Sequence, residues 1–502
     1  MTGARTGGRL RAAMSRPEAA LFALALGAYA YFYQAGGWNQ NSRFDLVRAV
    51  VERGTASIEG YHHNTGDHSR KDGVHYCDKA PGASWLGVPV YAVARAAGGE
   101  PPTPRFLAVA SYAVTVVAVG VPSAVAVVAL CALVGALGVG RGPAIAIAAA
   151  YAFGTLAFPY ATLFYGHQLM AALVVIGFAV AVRTVRAARA GTAAPRFASL
   201  FGAGLALGYA VVVEYPAALA VAPIAAYVAW GLWRDHRRAV AWFVAGGAGP
   251  AAALAAYHWI VFGGPLTLPY AFSTQPHRGQ GFMGIGAPRD GATWGVLFSS
   301  YRGLFFSAPW LLVGVPGWAW MAADRRWRAE ALVCAAAGGL FVWLNVSLVD
   351  WQGGWALGPR YLIGAIPFFA VGVAGWVLKW PARAPRGVTA AAWLAFAAAA
   401  GYSTAAMLAG TAVKPEVDVR IRHPFGDFVW PHFARGELAV SRQGIDDKHE
   451  RRGGPPAAWN LGHLLGLSGL ASLLPLAGWA AVCLAWLVRA LRRSRDGPPA
   501  VA

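Results

Sequence analysis

Long apolar runs broken by short polar or glycine-rich stretches dominate the chain between residues 19 and 488. A bilayer asks for about 20 such residues per helix. Runs near that length fall at 19–38, 106–138, 143–158, 166–183, 198–213, 215–233, 239–262, 303–323, 329–349, 361–378, 387–409 and 459–488. The pattern predicts an all-α polytopic membrane protein with about 12 transmembrane helices. The runs that meet at Glu214 and Pro216 read as a helical hairpin with a tight turn. The run 83–97 is short and carries Arg95, which predicts an interfacial helix rather than another span. The first run follows Arg5, Arg9 and Arg11, as in a signal peptide, but extends to about Trp38 without a small-residue cleavage site, so a retained first span is expected.

Composition agrees: 57% of residues are apolar and 13% charged, which excludes a soluble multidomain enzyme. The 62 Gly and 31 Pro lie among Ala, Val, Leu and 21 Trp rather than in polar tracts, which excludes a disordered chain. The net charge of +20 would suggest nucleic acid, but the charges sit at helix ends. With the N-terminus in the cytoplasm, the inner turns hold 22 of the 42 basic residues against 5 acidic ones, a net of +17, and the outer segments carry only +3. The basic balance is a topology signal, and no nucleic-acid partner is expected. Both termini are expected inside and the chemistry outside, in a single integral-membrane domain spanning 1–502 of a bacterial cytoplasmic membrane. Of four cysteines only Cys77 lies in a polar segment, which rules out an intramolecular disulfide framework. No Walker loop, GxGxxG or HExxH occurs, nor any fixed-period repeat.

Four outer segments result: 39–105, the long first loop with surface helices, then 263–302, 350–360 and 410–458. In the first, Asp45, Arg48 and Glu52 recur at helical spacing after the first span. They read either as a solvated surface helix or as the source of a general base, Asp45 or a neighbour, for an acceptor hydroxyl. Lys79, in YCDKAPG, is held by a rigid Pro81–Gly82 turn, and its ammonium requires an anion: a lipid phosphate, or Asp78 or Asp72. Glu214 is a carboxylate deep in an apolar hairpin, an intramembrane site candidate with Arg360 and Lys79 as expected partners. In DWQGGWALGPRY, Trp351 and Trp355 offer rings for a sugar or an interfacial belt, and Arg360, beside Tyr361, is placed to fork onto phosphate. The 263–302 loop, with His277 and Arg278, reads as a mobile cover or a plain surface loop. The 410–458 segment, with FGDFVWPHF, is an acceptor-contact candidate.

The order R-F-x-L-x-R-x-x-x-E-x-G from Arg43, followed by G-x-x-Y-x-D-K-x-P-G from Gly73, resembles the first outer loop of the GT-C glycosyltransferases. The resemblance is to the protein O-mannosyltransferase and lipid A aminoarabinose transferase branch. It implies transfer of a sugar from a polyprenyl-phosphate donor to an acceptor hydroxyl of a glycan, lipid or protein on the outer face. It also implies that Lys79, with Tyr76, Asp78, Arg43 and Arg360, forms the donor-phosphate site. Where that family has an acid before the Arg-aromatic pair, this chain has Gln40 and Asn41, and Asp45 follows instead. At the start of the fourth span the family often has an acid, and here His167 stands as a base, a metal ligand or a packing residue. The sequence shows no tight ligand cluster, so a divalent metal ion would have to bridge the donor phosphate and one or two side chains. Two other functions fit the topology: a lipid or polysaccharide transporter, and a catalytically silent assembly subunit, favoured by Gln40 and Asn41.

Overall fold

In the computed structural model, residues 16–98, 102–380 and 384–496 are described; the basic residues Arg5, Arg9, Arg11 and Arg383 lie outside them. The chain is an all-α polytopic membrane protein. Among the described residues eight helices are long and apolar enough to cross a membrane, and two more are apolar but shorter. In chain order the helices used here are α1 (Pro17–Tyr29), α2 (Trp38–Arg53), α3 (Gly82–Gly98) and α4 (Pro104–Ala136). Then come α5 (Arg141–Phe153), α6 (Gly166–Arg189), α7 (Phe197–Val213), α8 (Tyr215–Leu232) and α9 (Arg237–Phe262). The rest are α10 (Gly314–Ala322), α11 (Arg328–Ser347), α12 (Arg360–Lys379), α13 (Arg386–Val413) and α14 (Gly469–Arg493).

Several expected spans are interrupted. The first helix ends at Tyr29, and Phe32–Tyr33 (β1) pairs antiparallel with Trp459–Asn460 (β4), so the runs 19–38 and 459–488 both begin or end in a two-residue ladder. The run 303–323 breaks into Leu304–Ser307, a 3₁₀ turn over Pro309–Leu311 and α10. Pro309 lacks the amide hydrogen an unbroken helix would use.

Helices α7 and α8 do turn at Glu214, but as a pair straddling α6. Close packing goes instead to α9, where Gly204 and Gly246 let the backbones touch: a Cβ on Gly204 would stand 1.9 Å from the Phe243 carbonyl oxygen. Small residues at such crossings are what helix packing in lipid favours, because no hydrophobic driving force separates helix from lipid.

The two groups of polar segments inferred from charge stay apart in space. At one end of the bundle Arg141 pairs with Glu18 at 2.7 Å, Arg186 with Glu330 at 3.1 Å and Lys379 with Asp324 at 2.6 Å. At the other, Arg48 meets Asp446 at 3.1 Å, and Gln40 donates to Glu416 at 3.0 Å. A small hairpin, β2 (His68–Lys71) with β3 (Val74–Cys77), lies between α2 and α3.

The expectation of a solvated α2 is corrected. Its residues Asn39 to Ala49 are all buried, because segments 59–66 and 411–450 fold over it and satisfy its amides and charges. Cys77 is buried as well, and burial pushes its thiol up to about 11.

Candidate active site

The end of the bundle that carries α2 encloses a cavity of about 320 Å³ whose polar lining is Arg43, Lys79, His167, Glu214, Arg278, Arg360 and Tyr361. Met170, Leu219, Phe282, Phe341, Trp343, Leu344 and Leu348 form its apolar side. Seven chain segments converge here.

Arg43 is held by α2. It is wholly buried, its Nε donating to Asn39 Oδ1 one turn earlier at 3.0 Å and its Nη1 to the Ala80 carbonyl at 3.1 Å. Its Nη2 forms an ion pair with Glu214. Glu214 is there because α7 stops: the residue is extended, with Tyr215–Ala217 turning into α8 behind it. The partner is therefore Arg43, not the expected Arg360 or Lys79. His167, in the first turn of α6, sets Nδ1 3.8 Å from the same carboxylate, and its Nε2 is buried without a hydrogen bond. Gly166 is required beside it, since a Cβ there would lie 2.2 Å from Glu214 Oε1.

Lys79 leaves β3 through Asp78 and is clamped between two carboxylates, Asp78 at 2.9 Å and Asp67 at 3.0 Å. Burial alone would push its ammonium down, but the two carboxylates outweigh this and hold it above its ordinary value. Asp72, the other expected partner, pairs with Lys71 instead. Of Lys79's two acids, burial leaves Asp78 raised, whereas for Asp67 the nearby Lys79 charge overcomes burial and leaves it lowered.

Arg278 enters from the 263–302 loop, stacked 4.1 Å over the Tyr270 ring and donating to the Met283 carbonyl at 3.1 Å. This loop is tied down by Ser273 against Ser69 and Ile285 against Leu348. Arg360 opens α12 between the rings of Tyr165 and Tyr361 at 5.5 and 5.3 Å, and its Nη1 donates to the Tyr165 hydroxyl at 3.2 Å. Tyr361 donates to Asp350 at 2.7 Å. Among the described residues neither Arg278 nor Arg360 has a carboxylate at ion-pair distance. Two of the four cations are thus matched and two are not. The lining thus combines unmatched guanidinium groups with aromatic and aliphatic walls, the chemistry that an anion with an apolar body needs.

Not every expected residue reaches this cavity. Asp45 is two positions from Arg43, roughly 200° around the helix, and so faces away. It is fully buried with Oδ1 accepting from Asn64 at 2.9 Å and Oδ2 without a partner, and burial raises its carboxyl well above the usual range. Tyr76 packs on Phe262, with ring centroids 5.7 Å apart. Asp78 acts through Lys79. Trp351 packs on Tyr301, 6.3 Å away, and against Gly295. Gln40 and Asn41 are scaffold groups: Gln40 accepts from the Phe164 amide at 3.0 Å, and Asn41 donates to the Asn64 and Asp447 carbonyls.

Sequence reading missed Asp67, Tyr270 and Glu416. Glu416, buried and raised by that burial, accepts from Gln40 and from Tyr165 and so supports the hydroxyl on which Arg360 rests. No local pattern announces it, since its partners are more than 200 residues away.

No protein-family model matches the chain, and no curated protein does. Among solved structures, the oligosaccharyltransferase of Archaeoglobus fulgidus in the apo form is similar over 87% of this chain, at 11% identity and TM-score 0.46. The chain spans 61% of that protein's length. ArnT from Cupriavidus metallidurans is similar over 97% of this chain and 76% of its own, at 15% identity and TM-score 0.47 in the apo state. A structure of ArnT bound to undecaprenyl phosphate is similar over 94% of this chain and 74% of its own, at 15% identity and TM-score 0.43.

Proposed function

We propose that this protein is a membrane glycosyltransferase of GT-C type. It would transfer a sugar from a polyprenyl-phosphate donor to an acceptor hydroxyl at the extracytoplasmic face of a bacterial-type membrane. The observation that carries the reading is the amphipathic cavity with Arg278 and Arg360 unmatched by carboxylates. A phosphate seats on these two guanidinium groups while the first isoprene units lie along Phe341, Trp343, Leu344 and Leu348. Lys79, held charged by its two acids, adds the third cation.

The chemistry asks for stabilisation of the charge that grows on the departing polyprenyl phosphate, which the same cations supply. It also asks for a group that takes the acceptor proton. His167 is that group in this reading: it lines the cavity, its Nε2 makes no hydrogen bond, and its Nδ1 lies 3.8 Å from the Glu214 carboxylate.

Incubation of the purified protein with labelled polyprenyl-phosphate sugars, followed by release of polyprenyl phosphate, tests the proposal. His167→Gln is expected to lower turnover roughly 10²- to 10⁴-fold while sparing donor binding. Failure to release the carrier from any donor, together with movement of intact lipid-linked sugar across vesicle membranes, would establish the transporter instead.

A further inference from the structure

Away from the cavity, the first outer loop gathers a second set of groups. Glu59, His62 and His75 present one ligand atom each within 4.8 Å of one another. The sequence spaces them as E-x-x-H with His75 thirteen positions further on, too loose a pattern to read as a metal motif. The fold closes that gap. A 3₁₀ turn, His62–Asn64, returns the chain over β3, on which His75 sits.

The geometry points to a site for one divalent first-row transition-metal ion, of the zinc type, held by Glu59, His62 and His75. Both imidazoles turn Nδ1 toward the one carboxylate: His75 Nδ1 is 2.9 Å from Glu59 Oε2, and His62 Nδ1 is 3.6 Å from Glu59 Oε1. Ligand atoms at about 2.0–2.1 Å from a tetrahedral ion are about 3.3 Å apart, between these two values. His62 Nδ1 is buried, faces the Glu59 carboxylate and makes no hydrogen bond. The two rings are stacked at 3.7 Å and 9°, so one of them turns about its Cβ–Cγ bond to aim its lone pair at a shared ion. His68, with its ring 4.9 Å from His75 and 5.9 Å from His62, or a water, supplies the fourth position. One carboxylate and two or three imidazoles select zinc-like ions over magnesium or calcium, which prefer all-oxygen shells.

The ion's position gives it a structural task. His75 lies three residues before Asp78 and four before Lys79, and His68 directly follows Asp67. An ion joining the 59–62 turn to β3 therefore pins the hairpin whose two ends carry Lys79 and both of its acids. This inference does not depend on the glycosyltransferase reading, because its measurements do not use turnover.

The test uses full-length, tag-free protein in detergent, stripped with chelator and titrated with Zn²⁺ by calorimetry, with metal content measured by elemental analysis and Tm recorded with and without the ion. One ion per chain and a rise in Tm that grows with free Zn²⁺ are expected. His62→Gln, His75→Gln and Glu59→Gln should each weaken binding by at least about 10-fold, since even outer-shell changes cost 10–100-fold, and His463→Gln should not. Co²⁺ loaded into the wild-type protein should give the strong visible bands of a four-coordinate site, a readout independent of any variant's folding. Absence of binding to the wild type, equal binding by all four variants, or a weak six-coordinate cobalt spectrum would each overturn the site.

Discussion

Glu214→Gln isolates an ion pair that joins the turn between α7 and α8 to α2. In the native protein Arg43 is fully buried, and the Glu214 side chain is 7% exposed. Arg43 spends Nε on Asn39 and Nη1 on Ala80, and among the described residues no other carboxylate is at ion-pair distance from it. The glutamine keeps a hydrogen-bond acceptor but removes the charge, leaving a buried guanidinium uncompensated. Breaking a buried pair from one side costs about 3–5 kcal/mol, and about 3 kcal/mol is roughly a hundredfold shift in the unfolding equilibrium at about 1.4 kcal/mol per tenfold. Removing both charges is another matter. Arg43→Met combined with Glu214→Leu deletes two desolvation penalties along with the attraction, and should cost far less than either single change or stabilise the fold. Denaturant-induced unfolding in mixed micelles, read by tryptophan fluorescence for the wild type, Glu214→Gln, the singles Arg43→Met and Glu214→Leu, and the double variant, gives the coupling directly. A cost below about 1 kcal/mol for Glu214→Gln, or a double variant as unstable as the sum of the singles, would refute the reasoning.

Arg278→Gln and Arg360→Gln should each weaken binding of polyprenyl phosphate by about 10- to 100-fold, the value of a lost charge-assisted contact of about 1.5–3 kcal/mol; titration with the labelled lipid measures it. Asp45→Asn should leave turnover intact, because the side chain faces Asn64 rather than the cavity. Its stability advantage over wild type should grow with pH. The folded carboxyl is raised, so between the unfolded value of about 3.9 and that higher value the unfolded chain releases a proton that the folded one keeps. Unfolding measured across that range checks the sign. Arg70→Cys and Arg325→Cys, both at exposed positions, should react with a membrane-impermeant thiol reagent only from outside and only from the cytoplasm, respectively. The native Cys77 is too buried to report.

The membrane class, most helix positions and the separation of polar segments into two groups were legible in the sequence. They depend on local quantities, hydrophobicity over about 20 residues and charge at helix ends, that a bilayer reads segment by segment. Five residues that line the cavity, Arg43, Lys79, Glu214, Arg360 and His167, stood out in the sequence for a related reason: charged or titratable groups at a membrane boundary contrast with an apolar chain. Their pairing did not. Glu214 chose Arg43 over Arg360 because α2 is buried beneath the later outer segments, and nothing in the local pattern of WNQNSRFDLVRAV marks that burial. Asp45 went the same way: its spacing to Arg43 was visible, but which side of α2 faced the cavity was settled by where Asn64 and Glu214 arrived. Asp67, Glu416 and the Glu59–His62–His75 group became neighbours of their partners only through packing. A contact between residues far apart in sequence depends on the loop geometry between them, and that geometry is decided by the whole tertiary fold, not by the segments it joins.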